Sequence, residues 1–223
     1  MRLSPSSGNT TNQAMRIGFP AIQRKLASTL LCAGLVAALS GCGAARPIKY
    51  YQLTYPSASA APQETLNAAV LVRLFQTSHL YREDRIVYGS ASPEMGAYEN
   101  SRWAEPPAEM LQDAFVRGLR ASGRFRAVSN LRSESNGDYV LSGHLYEFKE
   151  ISGGALSARL DFDAELRELK TGRSVWTLTY NHDEPASGSD VSAVVTAMDK
   201  NVQQSVQAVL GGLNEYFHNH PVK

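Results

Sequence analysis

The sequence has few of the residues that covalent or metal chemistry requires. Only two of its 223 residues are cysteines, Cys32 and Cys42, and its five histidines are dispersed. It contains neither the Gly-x-Ser-x-Gly motif of serine hydrolases nor a glycine loop of the phosphate-binding kind. We therefore identify no catalytic centre, and we expect neither an enzymatic activity nor a cofactor.

The chain also lacks a strong excess of charge of either sign. Its formal net charge is +1, and four of its 22 basic residues lie among residues 1–41, where no acidic residue occurs. The remainder has 18 basic against 21 acidic residues, about −3 in all. No basic patch invites nucleic acid, so we expect no nucleic-acid partner. A hydrophobic content of 43% is typical of one globular domain.

A hydrophobic run long enough to span a membrane is missing from the N-terminal region. Its apolar stretch, residues 26–39, is shorter than the roughly 20 residues that a spanning helix needs. The stretch follows Arg24 and Lys25, which is the order of the charged and apolar regions of a signal peptide. We predict that residues 1–41 are a signal peptide, with Met15 as an alternative start to Met1.

The end of this apolar stretch carries a lipidation signal. Leu39, Ser40, Gly41 and Cys42 resemble the lipobox of bacterial lipoproteins, in which small residues fit the peptidase and the cysteine thiol accepts diacylglycerol. Acyl chains contribute roughly 0.8 kcal/mol per buried CH₂, so palmitate-type chains would hold the protein on a membrane permanently. If Cys42 is acylated and Cys32 removed, no cysteine pair remains for a disulfide. Gly43, in place of the aspartate typical of inner-membrane lipoproteins, indicates an outer-membrane lipoprotein facing the periplasm.

The rest of the chain is predicted to be one folded domain with flexible ends. Residues 42–65 form a lipidated, flexible tether, because residues 56–64 are rich in Ser, Ala and Pro. Residues 66–217 form the domain and residues 218–223 a polar tail. We expect an α/β fold with a mixed, largely antiparallel sheet of about five strands and two main amphipathic helices.

Alternating and helical periodicities locate these elements. Strands are predicted over residues 69–75, 125–128, 139–149, 156–167 and 175–182, with 85–88 and 95–98 as a candidate hairpin. The last three of the five form an antiparallel meander, in which residues 156–167 alternate between apolar and charged. A first helix starts at Pro106-Pro107 and ends before Gly123. A second starts at Ser189 or Asp190 and buries a valine-rich stripe from Val191 to Tyr216.

Two sets of side chains resemble metal ligands, and both have a simpler interpretation. The first set alternates along the strand 156–167 and comprises Asp161, Asp163 and Glu165, with Arg159 and Arg167 on the same face. The two arginines favour a solvated lattice of ion pairs. The second set is His218 and His220, which lie in the predicted tail without a third ligand nearby. We expect no metal site.

The segment from Arg102 to Pro106 places a large aromatic residue between charges, just before the first helix. Trp103 could pack the helix entrance against the sheet, as apolar residues before a helix often do. It could instead, with Arg102 and Glu105, form an exposed anchor for a partner protein. The sequence leaves both roles open.

Several segments resemble the ABC-type transport auxiliary lipoprotein family, whose members are PqiC-like. They are residues 50–53 (YYQL), 80–81 (LY), 84–88 (DRIVY), 102–106 (RWAEP) with the following helix, the strand 139–148, and residues 197–198 (AM) of the last helix. The resemblance implies an α/β lipoprotein without enzymatic activity. It also implies work beside an ABC transporter and an MCE-domain protein in moving lipids between two membranes. A homo-oligomer is a further partner that the sequence leaves open.

Two other functions share part of this evidence. A secretion pilotin or a lipopolysaccharide-assembly lipoprotein would carry the same lipobox, but neither has a reason to contain residues 102–106. A periplasmic enzyme such as a hydrolase would need a nucleophile with its base, and the sequence contains no such set.

Overall fold

The structure is a computed structural model that describes residues 46–54, 64–90, 93–131 and 136–221. The predicted signal peptide, the lipobox with Cys42 and most of the Ser/Ala/Pro-rich stretch lie outside the described residues. Residues 47–223 belong to one compact unit, as expected for a single domain.

The described residues form a nine-stranded mixed sheet and two long helices. The strands are β1 (Lys49–Tyr51), β2 (Leu66–Val72), β3 (Gln76–Thr77), β4 (Arg85–Gly89), β5 (Met95–Trp103), β6 (Phe125–Asn130), β7 (Tyr139–Ile151), β8 (Ser157–Glu168) and β9 (Ser174–Pro185). The helices are α1 (Pro107–Ala121) and α2 (Val191–Asn219), with a short 3-10 helix at His79–Tyr81. The α/β class is confirmed. The expected number of five strands was too low, because β1 and β3 are too short to show a periodicity.

Strand β7 organises the sheet. One edge of β7 pairs antiparallel with β8 over nearly its whole length, and β8 pairs antiparallel with β9, so the predicted meander is confirmed. The other edge of β7 pairs in parallel with three short strands in turn, first β2, then β3, then β4. The candidate hairpin is also present, since β4 pairs antiparallel with β5. The longest ladders are therefore antiparallel, and the short strands add the parallel ones.

The alternation along β8 explains which face of the meander is buried. Ala158, Leu160, Phe162, Ala164 and Leu166 are all at most 2% exposed, whereas the residues between them are polar and partly exposed. Because neighbouring side chains of a strand point to opposite faces, one face meets the core and the other meets water.

Each helix begins and ends at residues that suit its termini. Pro107 occupies the first turn of α1, where a missing N–H costs nothing, and Gly123 follows its end with a φ of 62°. Asp190 caps α2 by accepting a 2.8 Å hydrogen bond from the Ala193 N–H. None of the helices that the structure describes has the length and apolar content needed to cross a membrane.

The two helices touch each other at a glycine. A Cβ added at Gly118 of α1 would lie 2.2 Å from Val206 Cγ1 of α2, closer than packed atoms can approach. Gly118 therefore allows the helices to lie close together while both cover the sheet. Their apolar faces join the strands in one core.

The predicted ends of the domain need correction. Residues 49–51 were assigned to the tether, yet they form β1, which pairs in parallel with β5, and Leu53 is only 3% exposed. Three residues are too few for a strand pattern to show in the sequence. At the other end, α2 continues to Asn219, so two of the residues assigned to the tail are helical.

A buried polar residue, which the apolar periodicity could not indicate, joins α2 to the meander. Asn201 is fully buried, and its amide N–H groups donate to the carbonyl oxygens of Ala158 (2.8 Å) and His182 (2.9 Å). Its Oδ1 accepts a 2.9 Å hydrogen bond from the Tyr180 hydroxyl. The residue thus satisfies its own polar groups and fixes the position of α2 on β8 and β9.

We predict that Asn201→Ala lowers the free energy of unfolding by about 2 to 4 kcal/mol, because it leaves buried acceptors and a hydroxyl without partners. The measurement is urea denaturation followed by circular dichroism. Asn181→Ala is the matched control, since Asn181 is exposed and donates to Asp161 at the surface. The control should change stability by about 1 kcal/mol or less. Equal effects of the two substitutions would contradict the role of Asn201.

Candidate functional site at the strand–helix junction

The segment of residues 102–106 connects β5 to α1 and is held on both sides by backbone hydrogen bonds. The Trp103 N–H donates to the Asp84 carbonyl at 2.7 Å, and the Ala104 N–H donates to the Tyr51 carbonyl at 2.7 Å. Tyr51 and Trp103 are register partners in the β1–β5 pair. The junction therefore lies between the N-terminal strand and the segment that precedes β4.

Trp103 lies inside the core. Its side chain is 2% exposed, and its ring meets that of Phe148 edge-on, with 5.4 Å between the ring centroids. Among the described residues its indole N–H has no hydrogen-bond partner. This burial favours the packing role over the partner-facing role. The ring contact is with β7, so Trp103 connects the helix entrance to the middle of the sheet.

The two charged residues of the segment differ in their surroundings. Arg102 is mostly buried, and its Nη1 donates to the carbonyl oxygens of Tyr98 (2.6 Å) and Ser101 (3.0 Å). Its Nε lies 3.7 Å from Asp84 Oδ1. Glu105, by contrast, is exposed. Arg102 is therefore engaged in hydrogen bonds within the protein, whereas Glu105 is accessible to a partner.

A cleft of about 560 Å³ opens beside the start of α1. Its lining residues come from the chain between β2 and β4, from the helix entrance and from β7, and they are Leu74, Phe75, Gln76, Thr77, Arg82, Pro106, Ala108, Glu109 and His144. The volume falls within the range of small-molecule pockets. The sequence did not indicate this cleft, because its walls come from three separate parts of the chain.

Several polar groups in and near the cleft take part in hydrogen bonds within the protein. Thr77 is the one hydroxyl residue that lines it among the described residues, and its hydroxyl donates to the Leu145 carbonyl at 2.8 Å. Arg82 donates from Nε and Nη2 to the Thr77 carbonyl, at 3.3 and 3.1 Å. Near the cleft, burial raises the pKa of the Tyr81 hydroxyl to about 12, so it stays protonated. The cleft thus combines apolar side chains with a cation, a carboxylate and an imidazole, those of Arg82, Glu109 and His144.

The polar face of β8, which was expected to carry a solvated lattice of ion pairs, carries both hydrogen bonds and ion pairs. Arg159 forms two 2.6 Å hydrogen bonds with Asp183 of β9, and these hold the pKa of Asp183 below its ordinary value. Asp161 instead accepts from Asn181, and burial raises the pKa of its carboxyl. Asp163 accepts from Tyr146 and from the backbone of β7. Arg167 forms an ion pair with Glu165 at 2.7 Å.

The residues considered as metal ligands are not gathered into one site. In the described ranges, no group of three or more His, Cys, Asp or Glu side chains could hold a metal ion. His218 lies in the last turn of α2, and the ring of His220 stacks on Tyr216 with 4.6 Å between centroids.

The chain is similar to known proteins at the level of family and at the level of fold. A family model described as the ABC-type transport auxiliary lipoprotein component matches residues 51–209, which include the junction, the cleft and most of both helices. A crystal structure of a Xanthomonas campestris protein is similar with a TM-score of 0.69 at 22% identity, covering 77% of this chain and 98% of that one. A second crystal structure, of an uncharacterized protein, has a TM-score of 0.58 at 14% identity and covers 74% of this chain and 97% of that one. These likenesses show the fold alone. No curated protein matches the sequence.

We predict that Trp103→Ala lowers the free energy of unfolding by about 3 to 5 kcal/mol, the usual cost of truncating a buried aromatic side chain. Trp103→Phe should cost less, because it keeps a ring against Phe148 and removes an unpaired N–H. Glu105→Ala is the exposed control and should change stability by about 0.5 kcal/mol at most. Thermal melts measure all three. A Trp103→Ala variant that melts normally but no longer co-purifies with a partner would favour the anchor role instead.

Proposed function

The chain belongs to the ABC-type transport auxiliary lipoprotein family, and from this we propose that it is the outer-membrane component of an MCE-type lipid transport system. In this proposal the protein acts by binding and positioning, without catalysis. The observation that carries it is the family match over residues 51–209, which includes the junction segment and extends to Val209 of α2.

The proposed anchor is a lipid on Cys42. Leu39, Ser40 and Gly41 precede it as a lipobox, and Gly43 favours export to the outer membrane. Residues 1–41 would be removed, and the chain from residue 42 to residue 48 would join the lipid to β1. The domain would then face the periplasm, attached to the inner leaflet of the outer membrane.

The proposed partner is the MCE-domain protein of the same transport system. The family's description as an auxiliary component supports a partner within an ABC-type transporter. The cleft beside α1 supports a binding role, because it combines apolar walls with a few polar groups. The family match argues against a secretion pilotin or a lipopolysaccharide-assembly lipoprotein, since neither explains residues 102–106.

We predict that Cys42→Ser leaves the protein unprocessed or soluble, because acylation and lipoprotein signal peptidase cleavage both require that thiol. Cells grown with radiolabelled palmitate should label the wild type and not the variant. Cys32→Ser is the matched control and should be labelled, processed and sorted like the wild type. Palmitate on the Cys42→Ser protein would refute lipidation at this residue.

The partner is tested by cross-linking in intact cells, followed by purification from membranes and mass spectrometry. We expect an MCE-domain protein and its ABC transporter among the cross-linked proteins, and a loss of this set in the Cys42→Ser variant. Recovery of secretion or lipopolysaccharide-assembly proteins in their place would contradict the proposed function. It would favour a role as a secretion pilotin or a lipopolysaccharide-assembly lipoprotein.

A further inference from the structure

The chain immediately before and within β1 carries the most exposed apolar side chains of the described residues. Tyr50 is 64% exposed and Ile48 is 50% exposed, whereas the other exposed large hydrophobic residues lie between 37% and 49%. The two residues are close along the chain, so they form one exposed apolar group and are not scattered singly. This group is a candidate contact surface for a membrane or a partner.

This segment is firmly attached to the domain. Leu53, which follows β1, is 3% exposed in the core. The Thr54 N–H donates to Asp199 Oδ1 of α2 at 2.7 Å, and β1 itself pairs with residues 101–103 of β5. Tyr50 therefore has a defined position on the domain and is not part of the flexible tether.

The length of chain between Cys42 and this segment limits how far it can lie from the lipid. Ile48 is six residues beyond Cys42, so even a fully extended chain separates their Cα atoms by about 22 Å at most. Leu169, which has a comparable exposure of 44%, lies beyond the opposite end of β7. Through its pairing with β5 and β4, β1 lies about level with Glu147 of β7. From there to Tyr139, at that end, is about 26 Å at roughly 3.3 Å per residue. Of these two positions, β1 is the one that the short chain after Cys42 holds close to the proposed anchor.

The charges and the strand position near Ile48 and Tyr50 match a lipid surface. Arg46 and Lys49 are exposed beside them, and cations near a membrane surface are attracted to anionic headgroups. Tyrosine is enriched at membrane interfaces, because its ring is apolar and its hydroxyl is polar. β1 is also an edge strand, which pairs with β5 and ends the sheet on that side.

We propose that Ile48 and Tyr50 insert into the headgroup region of the leaflet that holds the lipid anchor, with Arg46 and Lys49 on anionic headgroups. The inference rests on the proposed lipidation of Cys42. It assigns the domain an orientation with the β1 edge of the sheet on the membrane. A second copy of the chain could pair with only the three residues of β1. It would offer less contact than the membrane, which the anchor already holds near.

The test uses the lipidated full-length protein, processed in cells and reconstituted in vesicles of phosphatidylethanolamine and phosphatidylglycerol. With Cys32 removed and Cys42 acylated, an added cysteine is the single free thiol. Gln52→Cys places a fluorescent label beside β1 and keeps both apolar side chains, and Leu169→Cys is the distant control. Lipids that carry a quencher in the headgroup region should quench the label at position 52 several-fold more than the label at position 169.

A second comparison tests the two apolar side chains directly. Ile48→Asp with Tyr50→Asp, added to the Gln52→Cys protein, should reduce quenching several-fold while the protein still floats with the vesicles. Equal quenching at positions 52 and 169, in protein that floats, would refute the membrane contact and leave the lipid anchor intact. Protein that does not float would refute the anchor and the orientation together. Disulfide cross-linking of a Tyr50→Cys variant between copies would show that a second chain covers β1 instead.

Discussion

The backbone ladder between β7 and β8 is the interaction on which the rest of the structure depends. Because β8 occupies one edge of β7 almost completely, the other strands that pair with β7 must use its other edge, and β2, β3 and β4 do so one after another. The ladder also requires a close approach at Gly143, where an added Cβ would lie 2.0 Å from the Asp163 carbonyl oxygen and 2.6 Å from the Phe75 ring. Phe75 stacks on Phe115 of α1 in turn, so the same glycine links the ladder to the helix layer.

The position of the N-terminal segment follows from this ladder through three further pairings. β7 pairs with β4, β4 pairs with β5, and the last three residues of β5 pair with β1. The junction segment lies at the end of this series, beside the strand that leads to the proposed lipid. The cleft opens next to it, at the start of α1. A component that positions a transport partner needs a defined relation between anchor and binding surface. The pairing of β1 provides that relation within the domain.

Polar contacts decide where α2 lies on the meander. Apolar packing alone would allow the valine-rich face of α2 to slide over β8 and β9, because such contacts have little directionality. Asn201 adds three directed hydrogen bonds. The largely buried Glu184 accepts from Lys200 and Gln204 of α2, and its pairing with Lys200 holds the pKa of its carboxyl below the ordinary value. These contacts give the helix one position along the strands.

The sequence by itself determined the features that depend on neighbouring residues. The period of two in β8, the period of the first helix after Pro107 and the order of charged, apolar and small residues before Cys42 are all local patterns. The tertiary structure decided which residues form β1 and β3, because their pairing partners lie far along the chain and their length shows no period. It also decided that Trp103 is buried while Tyr50 is exposed. Both are aromatic strand residues, and they occupy neighbouring positions of the β1–β5 pair. Burial depends on what covers a side chain, and Trp103 is covered by residues such as Phe148 of β7, which lie far from it along the chain.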